Sequence, residues 1–473
     1  MKANGLEPVA SSRPSVPSTE ALAVRAACAA SALERSIQRL LRARDQTLGQ
    51  LEVQAAPDVQ ELLRQALQRA AQAKADATPP TCPVCGQPLS RLSCGHARSF
   101  QSRYGDITIL RTRGYCKRCR QWRPPAAAAL GLEESAGDSP AVQDLAALRV
   151  SKMPVEDARA VLQHLPGVEL PRATLDRAAK RQGQRAQRWR APLDRQAVRT
   201  QTQLELPLEP DQMIIQLDAW NIRARDAWGQ GAAGRRRGLP PERWHWVYPG
   251  TCFRLDHRGH TNGGRPVITQ RGFVLTRQGL DGWREPLHAE ALRRGLGQAA
   301  GALVIADGAV WLWRRADDRW PHARQRLDFY HAGQHLAAGG RGLFGEDADQ
   351  LKRWLKPLVQ QLKNQSAVKG IPKLEALLAP LPEGSAATAV SREVAYLREH
   401  RERLDDRAAQ RAGEPIGSGP VEATCRQAQC RFKRPGQFWS RAGDEARLGL
   451  ETFWRNERWH LLFPHSSFNP ARN

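Results

Sequence analysis

Two sets of side chains in this 473-residue sequence have the types and spacing for metal chemistry. The first is a pair of Cys-x-x-Cys knuckles, Cys82-Pro-Val-Cys85 and Cys116-Lys-Arg-Cys119. Each knuckle can bring two thiolates to one ion, and four thiolates make a closed, tetrahedral, structural zinc site. The 30 residues between the knuckles exceed the spacing of about 15 to 20 usual for a zinc ribbon. They can still hold a hairpin, with strands over 99–104 and 107–113 about Gly105-Asp106. Cys94 and His96 lie within it as satellites that could replace a ligand or bind nothing. The second set is acidic. Asp218 ends the apolar run Met-Ile-Ile-Gln-Leu, Asp307 ends Ala-Leu-Val-Ile-Ala, and Glu422 falls in the first turn of a later helix. A carboxylate at the end of a buried strand is held by a rigid element rather than a loop. Together the three offer the hard oxygen ligands that phosphoryl transfer uses, on two Mg²⁺ or Mn²⁺ ions about 3.5–4 Å apart. Taken singly, each has a plainer reading. An Asp before Gly is commonly a turn residue, and a Glu at a helix start is commonly there for the dipole.

Composition bounds the partners. Lys and Arg total 72 against 48 Asp and Glu, a formal charge of +24 with pI near 10.5. A polyanion is the simplest partner, although a GC-rich coding sequence would also favour Arg. The sequence has no apolar run of membrane-spanning length and no secretory signal core, so a soluble, intracellular protein with no membrane partner is expected. Nine cysteines, four of them in knuckles, fit a reducing compartment and a metal site better than a disulfide framework. Cys28, Cys252, Cys425 and Cys430 are read as structural thiols.

Several elements must position these groups. Residues 1–20, rich in Ser and Pro, are expected to be disordered. Residues 21–77 form a helical arm, with apolar positions at helical spacing (Leu33, Ile37, Leu40, Leu41; Val59, Leu62, Leu63, Leu67) that suit packing or oligomerisation better than DNA contact. Residues 78–125 form the zinc module, whose Arg111, Arg113, Lys117, Arg118, Arg120 and Arg123 could follow a DNA backbone or be a solvated face. Within 140–198, breaks at Pro154, Pro166-Gly167 and Pro171 delimit helices over 155–165 and 171–182, the lengths of a helix-turn-helix. Arg172, Arg177, Lys180 and Arg181 would lie on its recognition helix. From 208 the pattern changes to strands: 213–217, then a hairpin of 244–255 and 267–275 around Gly259, Gly263 and Gly264. A helix over 285–296 follows, then strands over 302–306 and 325–329. Residues 333–412 read as helical, a last helix runs from Pro420 to about Arg434, and 461–473 form a tail. The fold class expected is α/β.

Three blocks carry a resemblance: QLDAW at 216–220; VIADGAVWLW at 304–313 with RLDFYHAGQHL at 326–336; and GSGPVEATCRQAQCRFKRPGQFWS at 417–440. They resemble the DDE transposases of bacterial insertion sequences, in the Kra-type group related to Mutator-like transposases. The resemblance implies that Asp218, Asp307 and Glu422 are the acidic triad. It also implies an RNase H-like catalytic domain over 208–332 and 413–460, interrupted by a helical insertion over 333–412. The implied partners are double-stranded transposon ends and target DNA, cut and joined by a dimer or larger assembly in the bacterial cytoplasm. Asp328 and His331 occupy the place of a Cys-x-x-His pair in Mutator-like relatives, either supporting the site or forming a buried polar pair. Ala219 stands where that family commonly has Gly. Trp220, Trp311, Trp313 and Trp439, beside the acids, could stack on unpaired bases or belong to the core. Arg426, Arg431, Lys433 and Arg434 recur on the Glu422 helix, with Arg441 beyond, as candidate phosphate contacts. Two other readings remain: a transposase-derived regulator without catalysis, and a different metal-dependent nuclease of the same fold.

Overall fold

The computed structural model describes residues 31, 33–133, 136–164, 168–201, 209–224, 243–364, 371–372, 375–376 and 384–466. The expected disorder over 1–20, the break at Pro166-Gly167 and most of the tail lie outside these residues. The chain divides into two compact units. The first is made mainly of Met1–Val150 and Pro154–Ala178, the second mainly of Ala179–Pro464.

In the first unit, β1 (Ser90–Ser102) and β2 (Gly105–Cys116) form an antiparallel hairpin, and β3 (Gln121–Arg123) pairs with the end of β2. The hairpin is longer than the sequence suggested. Its turn falls at Arg103-Tyr104, because Gly105, at φ 113°, supplies the left-handed residue that closes it. Ile107 and Ile109 are buried with Phe100, Ala71 and Leu132.

Helix α1 (Leu48–Ala77) runs along the outer edge of β2. Gln60, Arg64, Gln68 and Gln72 recur every four residues on one helix face, and they meet every second residue of the strand. Gln60 donates to Tyr104 O (3.3 Å) and Arg64 to Asp106 O (3.1 Å). Gln68 accepts from Thr108 N (3.1 Å), and Gln72 both accepts from Leu110 N and donates to Leu110 O (2.8 and 2.9 Å). These side chains complete the hydrogen bonding of an edge that no strand among the described residues covers. A shorter helix over 33–42 precedes α1.

Beyond the zinc module come α2 (Pro140–Lys152), α3 (Val155–Gln163) and α4 (Arg172–Gln201). The second helix of the expected pair is therefore 30 residues long, not a compact recognition helix over 171–182.

The second unit is α/β, built on a mixed six-stranded sheet. Its strands are β4 (Glu209–Leu217), β5 (Trp220–Ala224), β6 (Arg243–Arg254), β9 (Gly272–Thr276), β10 (Ala299–Ala306) and β11 (Arg324–Leu327). The order is β11-β10-β4-β6-β5, with β9 also on β6; β11, β10 and β4 are parallel to one another, and the remaining pairings are antiparallel. A small ribbon of β7 (Arg258–His260) and β8 (Pro266–Ile268) projects between β6 and β9. Val267, expected in the main hairpin, belongs to this ribbon.

One face of the sheet, with Met213, Ile215, Leu217, Val274, Val304 and Ala306, packs on five of the described helices, two between its strands and three after its last strand. These are α5 (Gly279–Arg293), α6 (Val310–Arg319), α7 (Phe329–Phe344), α8 (Ala348–Asn364) and α9 (Ser385–Glu399). The described residues of 333–412 are mostly helical, with breaks at 345–347 and 404–405. On the other face Trp220, Ile222, Val247 and Leu275 meet α10 (Gly419–Phe432) and α11 (Arg441–Arg455). Within this unit α4 crosses α11 so closely that a Cβ at Gly183 would overlap the backbone of Ala446. The glycine serves that approach and lies inside the helix. No described helix is long and apolar enough to cross a membrane.

Candidate active site and metal centre

Two adjacent parallel strands bring the first two acids together. In the β4–β10 ladder Leu217 pairs with Ala306, so Asp218 and Asp307 are the next residues off neighbouring strand ends. The carboxyl ends of parallel strands are where open α/β sheets form their ligand crevices.

Each acid is partly oriented by local bonds. Asp218 Oδ1 accepts from Ala219 N (2.6 Å) and its Oδ2 from the Cys425 thiol (2.9 Å). Asp307 Oδ1 accepts from Ala309 N (3.0 Å), so the turn role that Asp-Gly suggests is also present. Burial, opposed by the Cys425 and Ala219 bonds and reinforced by the negative charges of Asp307 and Glu422, pushes the Asp218 carboxyl up to about 6. Three mutually repelling carboxylates in a crevice fit a divalent cation. The oxygens are not drawn onto a single point: among the described residues only the cysteine quartet has ligand atoms all within 4.8 Å of one another.

Glu422 reaches the site because its helix is fastened to the strand ends by two buried side chains. Gln216, fully buried on β4, donates to Gly417 O (3.2 Å) and accepts from Val421 N (3.1 Å) and from the Thr251 hydroxyl (3.3 Å). Asp328, 1% exposed at the end of β11, accepts from Ser418 N and from His331 N (2.7 Å). The Ser418 hydroxyl in turn donates to Glu422 Oε1 (2.9 Å). Asp328 thus anchors the turn ahead of the Glu422 helix through backbone amides, and its link to His331 is through the main chain. The His331 ring instead meets His335 (Nε2 to Nε2, 3.3 Å), which bonds Glu393 (2.6 Å) and stacks on Tyr396 at 3.7 Å. Tyr396 lies against Gly308, where no Cβ would fit, so α9 of the expected insertion closes over the turn that carries Asp307. Burial, together with the charge of Asp307, raises the Tyr396 hydroxyl well above its ordinary range.

Gln216 and Cys425 gave no sequence signal beyond their position in the matched blocks. Cys425 had been read as a structural thiol. Burial first, then the neighbouring Asp218, pushes it far up, and it therefore remains a protonated donor to that carboxylate.

The aromatic and basic candidates separate. Trp220, Trp313 and Trp439 are buried at 5%, 3% and 7% exposure, which corrects them from base-stacking candidates to core residues. Trp311 is half-buried against Tyr248 and Trp283. Arg426, Lys433 and Arg434 are exposed, but Arg431 is buried, its guanidinium over the rings of Phe432 and Trp439. As a phosphate contact it is corrected to a core cation. Arg172 and Arg177 are exposed on α4, while Lys180 and Arg181 are half-buried, with Lys180 beside Gly443 of α11. A cavity of about 490 Å³ lined by Arg254, His257, Arg293 and Arg294 adds no further acid site. Its arginines already pair with Asp256, Asp194 and Glu290.

The zinc module brings its four thiols together. Cys82 and Cys119 Sγ are 3.9 Å apart and Cys85 and Cys116 Sγ 3.4 Å apart, around the edge of about 3.8 Å that a tetrahedron with Zn–S near 2.3 Å requires. The backbone amides of Cys85 and Val84 hold the Cys82 thiol down to about 6, which favours the thiolate a metal needs. The quartet can hold a metal such as zinc. Cys94 and His96 stand outside it: His96 bonds Ser93 (2.8 Å), and Cys94 accepts from Thr112 (3.5 Å). No protein-family model matches this sequence, and no curated protein is detectably similar to it.

Proposed function

We propose that this protein is a DNA transposase of the DDE type, with Asp218, Asp307 and Glu422 as the acidic triad of an RNase H-like domain. The observation that carries the reading is the β4–β10 ladder, which places Asp218 and Asp307 side by side while Gln216 of the same strand holds the start of the Glu422 helix. The order of elements supports that reading: β4 continued by β5 in one register along β6, then β6 and β9, a helix, a parallel strand, a helix and a last parallel strand. Two bound Mg²⁺ or Mn²⁺ ions would supply Lewis acidity at a scissile phosphate and ease deprotonation of the attacking hydroxyl. The chain's own part is to hold three carboxylates on rigid elements, keep Cys425 protonated against Asp218, and close the site with Tyr396. Exposed Arg426, Lys433 and Arg434 on and just beyond the Glu422 helix supply phosphate contacts, and the charge of +24 supplies salt-sensitive affinity for duplex DNA. A zinc-bound first module and the helices around Arg172 and Arg177 would recognise the transposon ends, with a dimer or larger assembly pairing two of them.

The test is a donor plasmid carrying the element's flanking repeats, assayed for Mg²⁺-dependent excision. Wild type should excise, while Asp218→Ala, Asp307→Ala and Glu422→Ala should each fall by on the order of 10³-fold or more and still bind the repeats. Equal excision by all four proteins would overturn the assignment. Binding without excision by any of them would instead favour a regulator.

A further inference from the structure

Trp244 and Trp246 are 49% and 51% exposed, although both lie on strand β6, where it pairs with β5, rather than in a loop. Their register partners on β5 are Arg223 and Asn221. Alternation along β6 puts Trp244, Trp246 and Tyr248 on one face, and the residues between them, His245 and Val247, on the other. Two cations sit on this row. The Arg223 guanidinium lies 5.1 Å from the Trp244 ring and 5.6 Å from Phe438, and the Lys433 ammonium lies 5.9 Å from Trp244. At its other end the row reaches the level of the acid site on the opposite face of the sheet, since Asp218 falls opposite Pro249 and bonds Cys425 of α10 while Tyr248 faces the core on the far side. Tyr248 packs edge-on against Trp311, four residues after Asp307, and the next residue, Pro249, accepts the backbone N–H of Asp218 (3.3 Å).

We infer that this row is a stacking track for an unpaired DNA strand that runs along the β5–β6 hairpin, on the sheet face opposite the triad. The inference rests on the transposase reading and names the strand form that the protein handles. Residues two apart on a strand are about 6.7 Å apart, whereas stacked bases advance by about 3.4 Å. A duplex therefore cannot lay successive bases on both rings, and a strand with its bases splayed can. Aromatic platforms flanked by cations are the usual means of holding such strands without reading their sequence. Phosphates between the splayed bases would meet Arg223 and Lys433.

The experiment uses the full-length, zinc-loaded protein without added Mg²⁺ and a fluorescein-labelled oligonucleotide of mixed sequence, offered single-stranded or as a duplex, with binding read by anisotropy. Trp244→Ala and Trp246→Ala should each weaken single-strand binding on the order of tenfold, and Arg223→Gln several-fold. Duplex affinity should stay within about twofold. Trp246→Phe should retain most of the single-strand affinity, which separates stacking from a folding defect. Parallel losses for both DNA forms, or no loss for either, would overturn the track. So would unchanged DNA binding with a change in the sedimentation of the free protein, since the surface would then contact protein. If wild type binds duplex but not the single strand, only the track falls; if it binds neither, the transposase reading falls with it.

Discussion

Replacing Gln216 by Leu tests whether Glu422 is placed by the sheet. The substitution keeps the volume of the side chain roughly constant and removes its amide. Val421 N would retain a second partner, Ser418 O at 3.0 Å, but Gly417 O and the Thr251 hydroxyl would lose the groups they now bond. A buried polar group left without a partner costs about 1–3 kcal/mol, so the pair predicts a loss of about 2–4 kcal/mol. Urea unfolding followed by tryptophan fluorescence reads this loss in the right place, because every tryptophan except Trp122 belongs to the second unit. Activity should suffer beyond stability. With the 417–421 turn released, Glu422 can drift, and a displacement near 1 Å costs on the order of 10²-fold in rate. Mg²⁺-dependent excision, measured well below the unfolding transition, should fall by that order. Thr251→Val removes only the 3.3 Å bond to the same oxygen and should cost under about 1 kcal/mol with little change in rate. A Gln216→Leu protein as stable and as active as wild type would refute the reasoning. Lost stability with unchanged excision would reduce Gln216 to ordinary core support.

Two further outcomes follow from other parts of the molecule. Purified protein should carry one zinc per chain by metal analysis. Cys116→Ser should lose the metal and open residues 80–123 to protease, while Cys94→Ser, outside the quartet, should keep it. Asp406 is fully buried, and neither of its oxygens has a hydrogen-bond partner among the described residues. Burial, with Asp328 adding to it and Arg326 opposing, raises its carboxyl from 3.8 to about 7. Between those values the folded state holds a proton that the unfolded chain releases, so stability should fall as pH rises from about 4 to 7. Asp406→Asn, neutral throughout, should match wild type near pH 4 and exceed it at pH 8 by up to about 4 kcal/mol. Denaturation curves showing no gain at pH 8 would contradict this.

What could be read in the sequence was what local pattern encodes. The apolar runs before Asp218 and Asp307 are strands and end where expected, and the two cysteine knuckles converge with a hairpin between them. The strand Trp220–Ala224 escaped notice because it follows Asp218 after a single residue and has no turn signal of its own. The helix expected to end at Gln182 runs through Gly183 to Gln201, because that glycine is required by a close helix crossing rather than by a helix end. Glu422 is placed by Gln216 and Asp328, which are 206 and 94 positions upstream of it, and no local periodicity encodes a bond of that span. The aromatic residues divided on strand face. Trp220 points inward and Trp246 outward although the two strands pair, and the pairing itself was not legible.

The helix that lines β2 does more than pack. Four residues of helix advance about 6.0 Å and two residues of strand about 6.7 Å, so each rung of the glutamine and arginine ladder slips by about 0.7 Å against the next. Over the span from Gln60 to Gln72 the mismatch reaches about 2 Å, which flexible side chains can absorb and a much longer ladder could not. The match behaves as a vernier that limits how far the arm can zip along the hairpin. It also gives the arm a protective duty. Without residues 48–77, the backbone groups of residues 104 to 110 would face solvent as an adhesive edge, so a chain clipped just ahead of Cys82 should self-associate through β2 even with its metal in place.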